Sequence, residues 1–176
     1  MSAYPQAIQR PLLGDHSQWA TLEQRNTIVL HITQGPTAAG AIATFRASKA
    51  PNRISCHFVI DRDGTVYQLV SIADTAWHAS QCNAHSVGIE HAAIAGTLMA
   101  TEEQYQASAK LVAWLCDQMK IPVDRAHVRT HNECSPRDGH VLCCTGALDP
   151  DRVVQIAAAL SSGEQSETSS STDLPS

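Results

Sequence analysis

The chain is short of aromatic side chains, with three Trp, three Tyr and two Phe among 176 residues. Basic side chains are outnumbered as well: 12 Lys and Arg against 17 Asp and Glu leave a formal charge of -5. Nucleic acid rewards the opposite, clustered cations that displace counterions, so no nucleic-acid partner is expected. No apolar run approaches the roughly 20 residues that span a bilayer, so no membrane partner is expected either. The opening stretch, MSAYPQAIQRPLLGDHSQW, has neither a basic start nor an apolar run behind it and does not read as a Sec signal. Synthesis in the cytoplasm without Sec export is the expectation. There is no Cys-x-x-Cys pair, which removes the usual zinc-finger pattern.

What is present fits an ordinary globular protein: 43% hydrophobic and 16% charged residues in a length that suits one domain. Residues 27 to 32, TIVLHI, read as a buried strand with His31 near its end. QGPTAAGAIATFRASK then reads as a loop entering a helix. Residues 55 to 70, SCHFVIDRDGTVYQLV, are two strand-like runs around Arg62-Asp63-Gly64, a hairpin in which Gly supplies the positive φ. SVGIEH, residues 86 to 91, predicts a strand with Val87 and Ile89 on one face and Gly88 and Glu90 on the other. From Thr101, a T-x-x-Q capping box opens a helix whose stripe is Tyr105, Ala109, Val112, Cys116 and Met119, and Pro122 closes it. HVRTH, residues 127 to 131, returns as a strand, and Asp149-Pro150 starts a last helix.

Strands interleaved with helices and one hairpin predict an α/β class: a single domain with a mixed central β-sheet flanked by α-helices. The boundaries read as a lead-in over 1–26, the domain over 27–160, and a Ser-rich tail over 161–176 too polar to order itself.

Nine histidines gather at strand ends and in loops. A catalytic zinc takes three protein ligands and keeps one open position. His31 and His131 are 100 positions apart, and neighbouring strands of one sheet would bring them together. Glu133, Cys134, His140, Cys143 and Cys144 are all candidates for a third ligand, and spacing does not choose among them. The bland alternative for each strand histidine is a hydrogen-bonded core residue. Six cysteines without an export signal read as thiols or ligands before they read as a disulfide framework.

TIVLHIT, SCHFVIDRDGTVYQLV, AWHAS, SVGIEH, THNECSP and CTGALDPDRV occur in this order over about residues 27–156. The set resembles the zinc-dependent type 2 N-acetylmuramoyl-L-alanine amidases, a family whose fold is shared by phage lysins and peptidoglycan recognition proteins. The resemblance implies Zn2+ held by His31, His131 and Cys144, with Cys143 as the alternative thiol. It implies Glu90 as the carboxylate that takes a proton from the attacking water and passes it to the leaving nitrogen. His78 and Trp77 would line the substrate groove, while His57 is expected to be structural. Relatives carry a Tyr where this chain has Cys56, and a Lys or Thr where it has Leu142. Oxyanion stabilisation would then fall to zinc, His140, Arg137 or His78.

The implied partner is peptidoglycan or its muropeptides, cleaved between the lactyl group and L-alanine. An antibacterial effector or lysin acting on the cell wall is the leading setting, because the loops around AWHASQCNAHSVGIE are shorter than those of recycling amidases. An effector would have an immunity protein as a further partner. The alternatives are a cytoplasmic recycling amidase, a peptidoglycan-binding module without hydrolysis, and a cysteine hydrolase pairing a thiol with a histidine.

Overall fold

Every residue of β3 (Thr27–Ile32) is buried, which is why the stretch is continuously apolar and branched rather than alternating. The computed structural model describes residues 3–169. In it β3 pairs in parallel with β7 (Ser86–His91) on one side and β8 (Val128–Thr130) on the other. Beyond β7 lies β4 (Phe58–Ile60), also parallel. β5 (Val66–Gln68) runs antiparallel to β4 through the predicted hairpin, where Gly64 has φ +82°. β1 (Ile8–Gln9) adds to the edge beside β5. The sheet is mixed, as expected, in the order β1-β5-β4-β7-β3-β8.

The lead-in is therefore part of the sheet, and its Tyr4 is buried against Phe58 and Trp114. A separate ladder joins β2 (Ser17–Gln18) to β6 (Thr75–Ala76). Arg25, almost wholly buried, ties this region to the body. It donates to the carbonyls of Ile72, Ala73 and Asn83 and to Thr75 Oγ1.

Two helices cover one face of the sheet. α2 (Glu102–Met119) begins at the Thr101–Gln104 capping box, with both reciprocal bonds formed, and the five stripe residues are all buried. Lys120, at φ +55°, ends it two residues before Pro122. α4 (Pro150–Ser169) starts after Asp149, whose Oδ1 accepts from the amides of Asp151 and Arg152. The backbone of α4 continues past Ser161 to Ser169. The rest of the expected tail, residues 170–176, lies outside the described residues. Ile28, Leu30, Ile32, Phe58, Ile60, Val87 and Ile89 face these helices in the main core.

On the other face, α1 (Ala38–Ala47) packs Ile42 and Phe45 against Val59, and the segment after β6 packs Ala79 and Cys82 against Val29. The parallel strands β3, β7 and β8 all finish at the same edge of the sheet. Open sheets collect ligands at such carboxyl ends. Among the described residues no helix is long and apolar enough to cross a membrane.

Candidate metal centre and groove

His31 leaves β3 at this edge, directly opposite Glu90 in the ladder with β7. His131 departs slightly from its expected place. It does not end a strand but opens the one-turn helix α3 (His131–Cys134) immediately after β8, with Thr130 as N-cap and Glu133 completing the capping box. The two imidazole centroids are 4.9 Å apart, so residues 100 positions distant in sequence meet in one site.

The thiol that joins them is Cys143. One donor atom from each of His31, His131 and Cys143 lies within 4.8 Å of the others, and Cys143 Sγ is 3.8 Å from His31 Nδ1. Cys144, the third ligand expected from the resemblance, is turned the other way. It has φ +71°, a left-handed conformation. Its Sγ is buried in the main core, 3.2 Å from the carbonyl of Leu30. Adjacent cysteines differ by one position in sequence, but the turn between them decides which sulfur reaches the histidines. The other candidates are also committed elsewhere. Glu133 pairs with Arg125, Cys134 is bridged to Cys82, and His140 stacks on His131 at 4.5 Å.

The vicinal pair carries its negative charge on Cys143. The neighbouring Cys144 thiol, and then the rings of His131 and His31, hold the Cys143 thiol far below its ordinary range despite burial. The same contact and burial push Cys144 up. Burial lowers His31, against the pull of Cys143. For His131, burial is outweighed by Cys143 and Asp138, and the net shift is upward. Cys56 and Cys116 are buried thiols pushed upward by desolvation, Cys116 to about 12, so neither is poised as a nucleophile. Two imidazoles converging on one thiolate suit a cation better than the single base a cysteine hydrolase needs.

The donor set fits zinc. Nitrogen and sulfur ligands bound tetrahedrally at about 2.0–2.3 Å sit roughly 3.5 Å apart, close to the Cys143–His31 separation. Both imidazoles are also held from behind, as metal-binding imidazoles usually are. His131 Nε2 donates to Asp138 Oδ2 at 3.0 Å, leaving Nδ1 for the site. His31 Nε2 lies 3.0 Å from His78 Nδ1. His78 in turn reaches Ser86 Oγ at 3.3 Å.

His78 is thus a backing residue to His31 as well as part of the groove wall. Room for its ring comes from Gly88: a Cβ there would lie 2.7 Å from His78 Nδ1. Trp77, anchored through Nε1 to the Asp15 carbonyl, also lines the groove. His57 is a core residue, accepting from the Gly88 amide and donating to the Asp74 carbonyl. Asp138, Ser86 and Gly88 carried no sequence signal for these roles. Their partners are distant or depend on side-chain direction.

The groove holds about 500 Å³ and is lined by His31, Trp77, His78, Glu90, His131 and Cys143 among others. Glu90 is half-buried, and its Oε2 is buried with no hydrogen-bond partner among the described residues. Burial, and then the Cys143 thiolate, push its carboxyl up to about 8. His140 lines the groove, whereas Arg137 does not. Leu142, which the resemblance sets at the Lys or Thr position of relatives, offers no donor side chain, nor does its neighbour Val141.

A bridge joins Cys82 to Cys134, tying the turn after His78 to the end of α3. The sequence leaves open whether Cys82, Cys134 and Cys143 enter disulfides, and the structure pairs the first two.

The protein-family model described as N-acetylmuramoyl-L-alanine amidase matches residues 22–151. N-acetylmuramoyl-L-alanine amidase A of Achromobacter lyticus is 32% identical over 117 residues, covering 64% of this chain and 63% of that protein. The 1,6-anhydro-N-acetylmuramyl-L-alanine amidase AmpD of Escherichia coli (strain K12) is 38% identical over 81 residues, covering 42% of this chain and 44% of that one. The match therefore spans less than two thirds of either curated relative. The crystal structure of a selenomethionine AmpD derivative shares the fold, with a TM-score of 0.67 and 23% identity over 88% of this chain and 96% of that one.

Proposed function

The chain belongs to the N-acetylmuramoyl-L-alanine amidase family, and on that premise we propose that it is a zinc-dependent hydrolase of the lactyl-L-alanine amide in peptidoglycan. The observation that carries the reading is the convergence of His31, His131 and the Cys143 thiolate beside an orphaned carboxyl, Glu90, in one groove. Those three residues would hold the ion. Bound there, zinc supplies Lewis acidity to the scissile carbonyl and the positive charge that favours the carboxylate form of Glu90.

The protein's own part is proton handling and positioning. Among the described residues Glu90 Oε2 has no competing partner, which leaves it available to take a proton from the attacking water. It then returns that proton to the departing alanine nitrogen. His78 and Asp138 keep the two imidazoles oriented. His140, stacked on His131 at the groove wall, is the donor that supports the oxyanion.

Disulfides persist in oxidising compartments, so the Cys82–Cys134 bridge favours action on the wall, as a lysin or effector, over cytoplasmic recycling. As an effector it would need a cognate immunity protein in the producing cell.

Zinc-loaded protein incubated with peptidoglycan should expose new L-alanine amino termini. Glu90→Gln should retain one equivalent of zinc and lose about 10²–10⁴-fold in rate. Full activity in that variant removes Glu90 from the reaction. Muropeptide binding without zinc or cleavage would make the chain a binding module instead.

A further inference from the structure

The metal groove does not end at Trp77. Trp77, Ser80 and Asn83 line it on one side and line a second cleft of about 500 Å³ on the other. Trp19 stands on that cleft at 89% exposure, in a chain with only three tryptophans. An indole left in water is an unused apolar plane. The same walls present the carboxamides of Gln18, Gln24 and Gln81, the amide nitrogen of Asn83 and the imidazole of His85, and among the described residues no Asp, Glu, Lys or Arg lines the cleft.

This composition selects a ligand. A charged peptide finds no carboxylate, ammonium or guanidinium partner there, whereas a neutral saccharide offers apolar ring faces to indole and hydroxyl and acetamido groups to carboxamides and to the His85 ring. The cleft is also held in shape before any ligand arrives. Trp77 is fixed by its bond to the Asp15 carbonyl, and Asn83 Oδ1 accepts from the amides of His78 and Ala79. Arg25 anchors Thr75 and the Asn83 carbonyl from behind. Such preorganisation lowers the ordering cost of binding.

We infer that the Trp19–Trp77 cleft is a saccharide subsite that receives N-acetylated hexosamine units of the glycan strand adjoining the scissile amide. The inference rests on the amidase reading for its substrate but on the cleft alone for its ligand chemistry. Trp19 and Gln18 precede the family-matched residues 22–151, so this wall is contributed by the chain's own lead-in.

The test is titration of the zinc-loaded protein with N-acetylglucosamine tetramer, followed by tryptophan fluorescence. Saturable binding is expected. Trp19→Ala should weaken it about tenfold, the usual scale for truncating an aromatic anchor, Trp19→Phe should recover most of it, and the exposed Leu13→Ala should bind like the parent. Trp19 packs little, so its replacement does not threaten the fold. A disaccharide muropeptide should bind more tightly than N-acetylglucosamine dimer, because its lactyl-peptide arm continues into the metal groove. Equal affinity would overturn the assignment to the glycan strand.

In turnover, Trp19→Ala should raise KM more for disaccharide-bearing than for monosaccharide-bearing substrate. Amide cleavage without saccharide binding, or binding indifferent to Trp19, overturns the subsite and leaves the amidase reading intact. Saccharide binding that depends on Trp19, without cleavage, supports the subsite and removes the amidase reading.

Discussion

His78 Nδ1 lies 3.0 Å from His31 Nε2, and the proton between them belongs to His31. The assignment follows from the end of the chain of bonds. Ser86 has one hydroxyl proton and gives it to the Cys82 carbonyl at 2.6 Å. Its oxygen must therefore accept from His78 Nε2–H. His78 Nδ1 is then a lone pair that accepts from His31 Nε2–H, and the remaining lone pair of His31, on Nδ1, faces Cys143. One serine hydroxyl fixes two tautomers.

His78→Ala should accordingly lower zinc affinity about ten- to a hundredfold, measured by chelator competition. Gly88→Ala should do the same by expelling the ring. His78→Asn, whose side-chain oxygen can accept in place of Nδ1, should recover part of the loss. Unaltered affinity in all three would refute the relay.

The two neighbouring thiols should separate cleanly in a spectroscopic test. With Co2+ in the site, a thiolate-to-metal charge-transfer band is expected. It should vanish in Cys143→Ser and survive in Cys144→Ser. The reverse pattern would make Cys144, not Cys143, the ligating thiolate.

Stability should fall with acid through two core histidines. Burial holds His57 near about 3 and His91 near about 4, against an ordinary value of about 6.5. Below about 6.5 the unfolded chain takes up protons that the folded chain refuses, so unfolding is favoured. The loss should run from about pH 6.5 down to about pH 4, at about 1.4 kcal/mol per pH unit for each histidine. Urea melts of the metal-free protein across that range measure it. His57→Asn should flatten the slope, and a flat profile in the parent would contradict the buried neutral rings.

Removing the bridge between Cys82 and Cys134, 52 residues apart, should cost up to about 4 kcal/mol on chain-entropy grounds. The double Ser variant, compared with the parent by urea denaturation, tests this. Because Cys134 lies three residues after His131, weaker zinc binding should accompany the change. Unaltered stability and zinc affinity would make the bridge incidental.

Much of this site was readable from local pattern. TIVLHI, the Gly64 hairpin, the alternation in SVGIEH and the Thr101–Gln104 cap each depend on near neighbours, and each stands where the pattern put it. The meeting of His31 with His131 followed from strand logic together with family resemblance. What local pattern does not encode is direction at an irregular turn. The choice between Cys143 and Cys144 rests on one φ angle, and Asp138 reaches His131 only because the loop after α3 folds back. The Cys82–Cys134 bridge and the edge strand β1 are long-range pairings with no repeating signature.

The parallel register that sets His31 against Glu90 has a consequence for how such a molecule can change over time. Adjacent strands are held about 4.8 Å apart by backbone bonds, so the spacing between Glu90 and His31 is a property of the sheet interior. Trp19 and Trp77, the walls of the inferred saccharide subsite, sit on connecting segments outside that sheet. Insertions, deletions and swaps in those segments can therefore reshape the cleft while the facing of Glu90 and His31 is inherited unchanged.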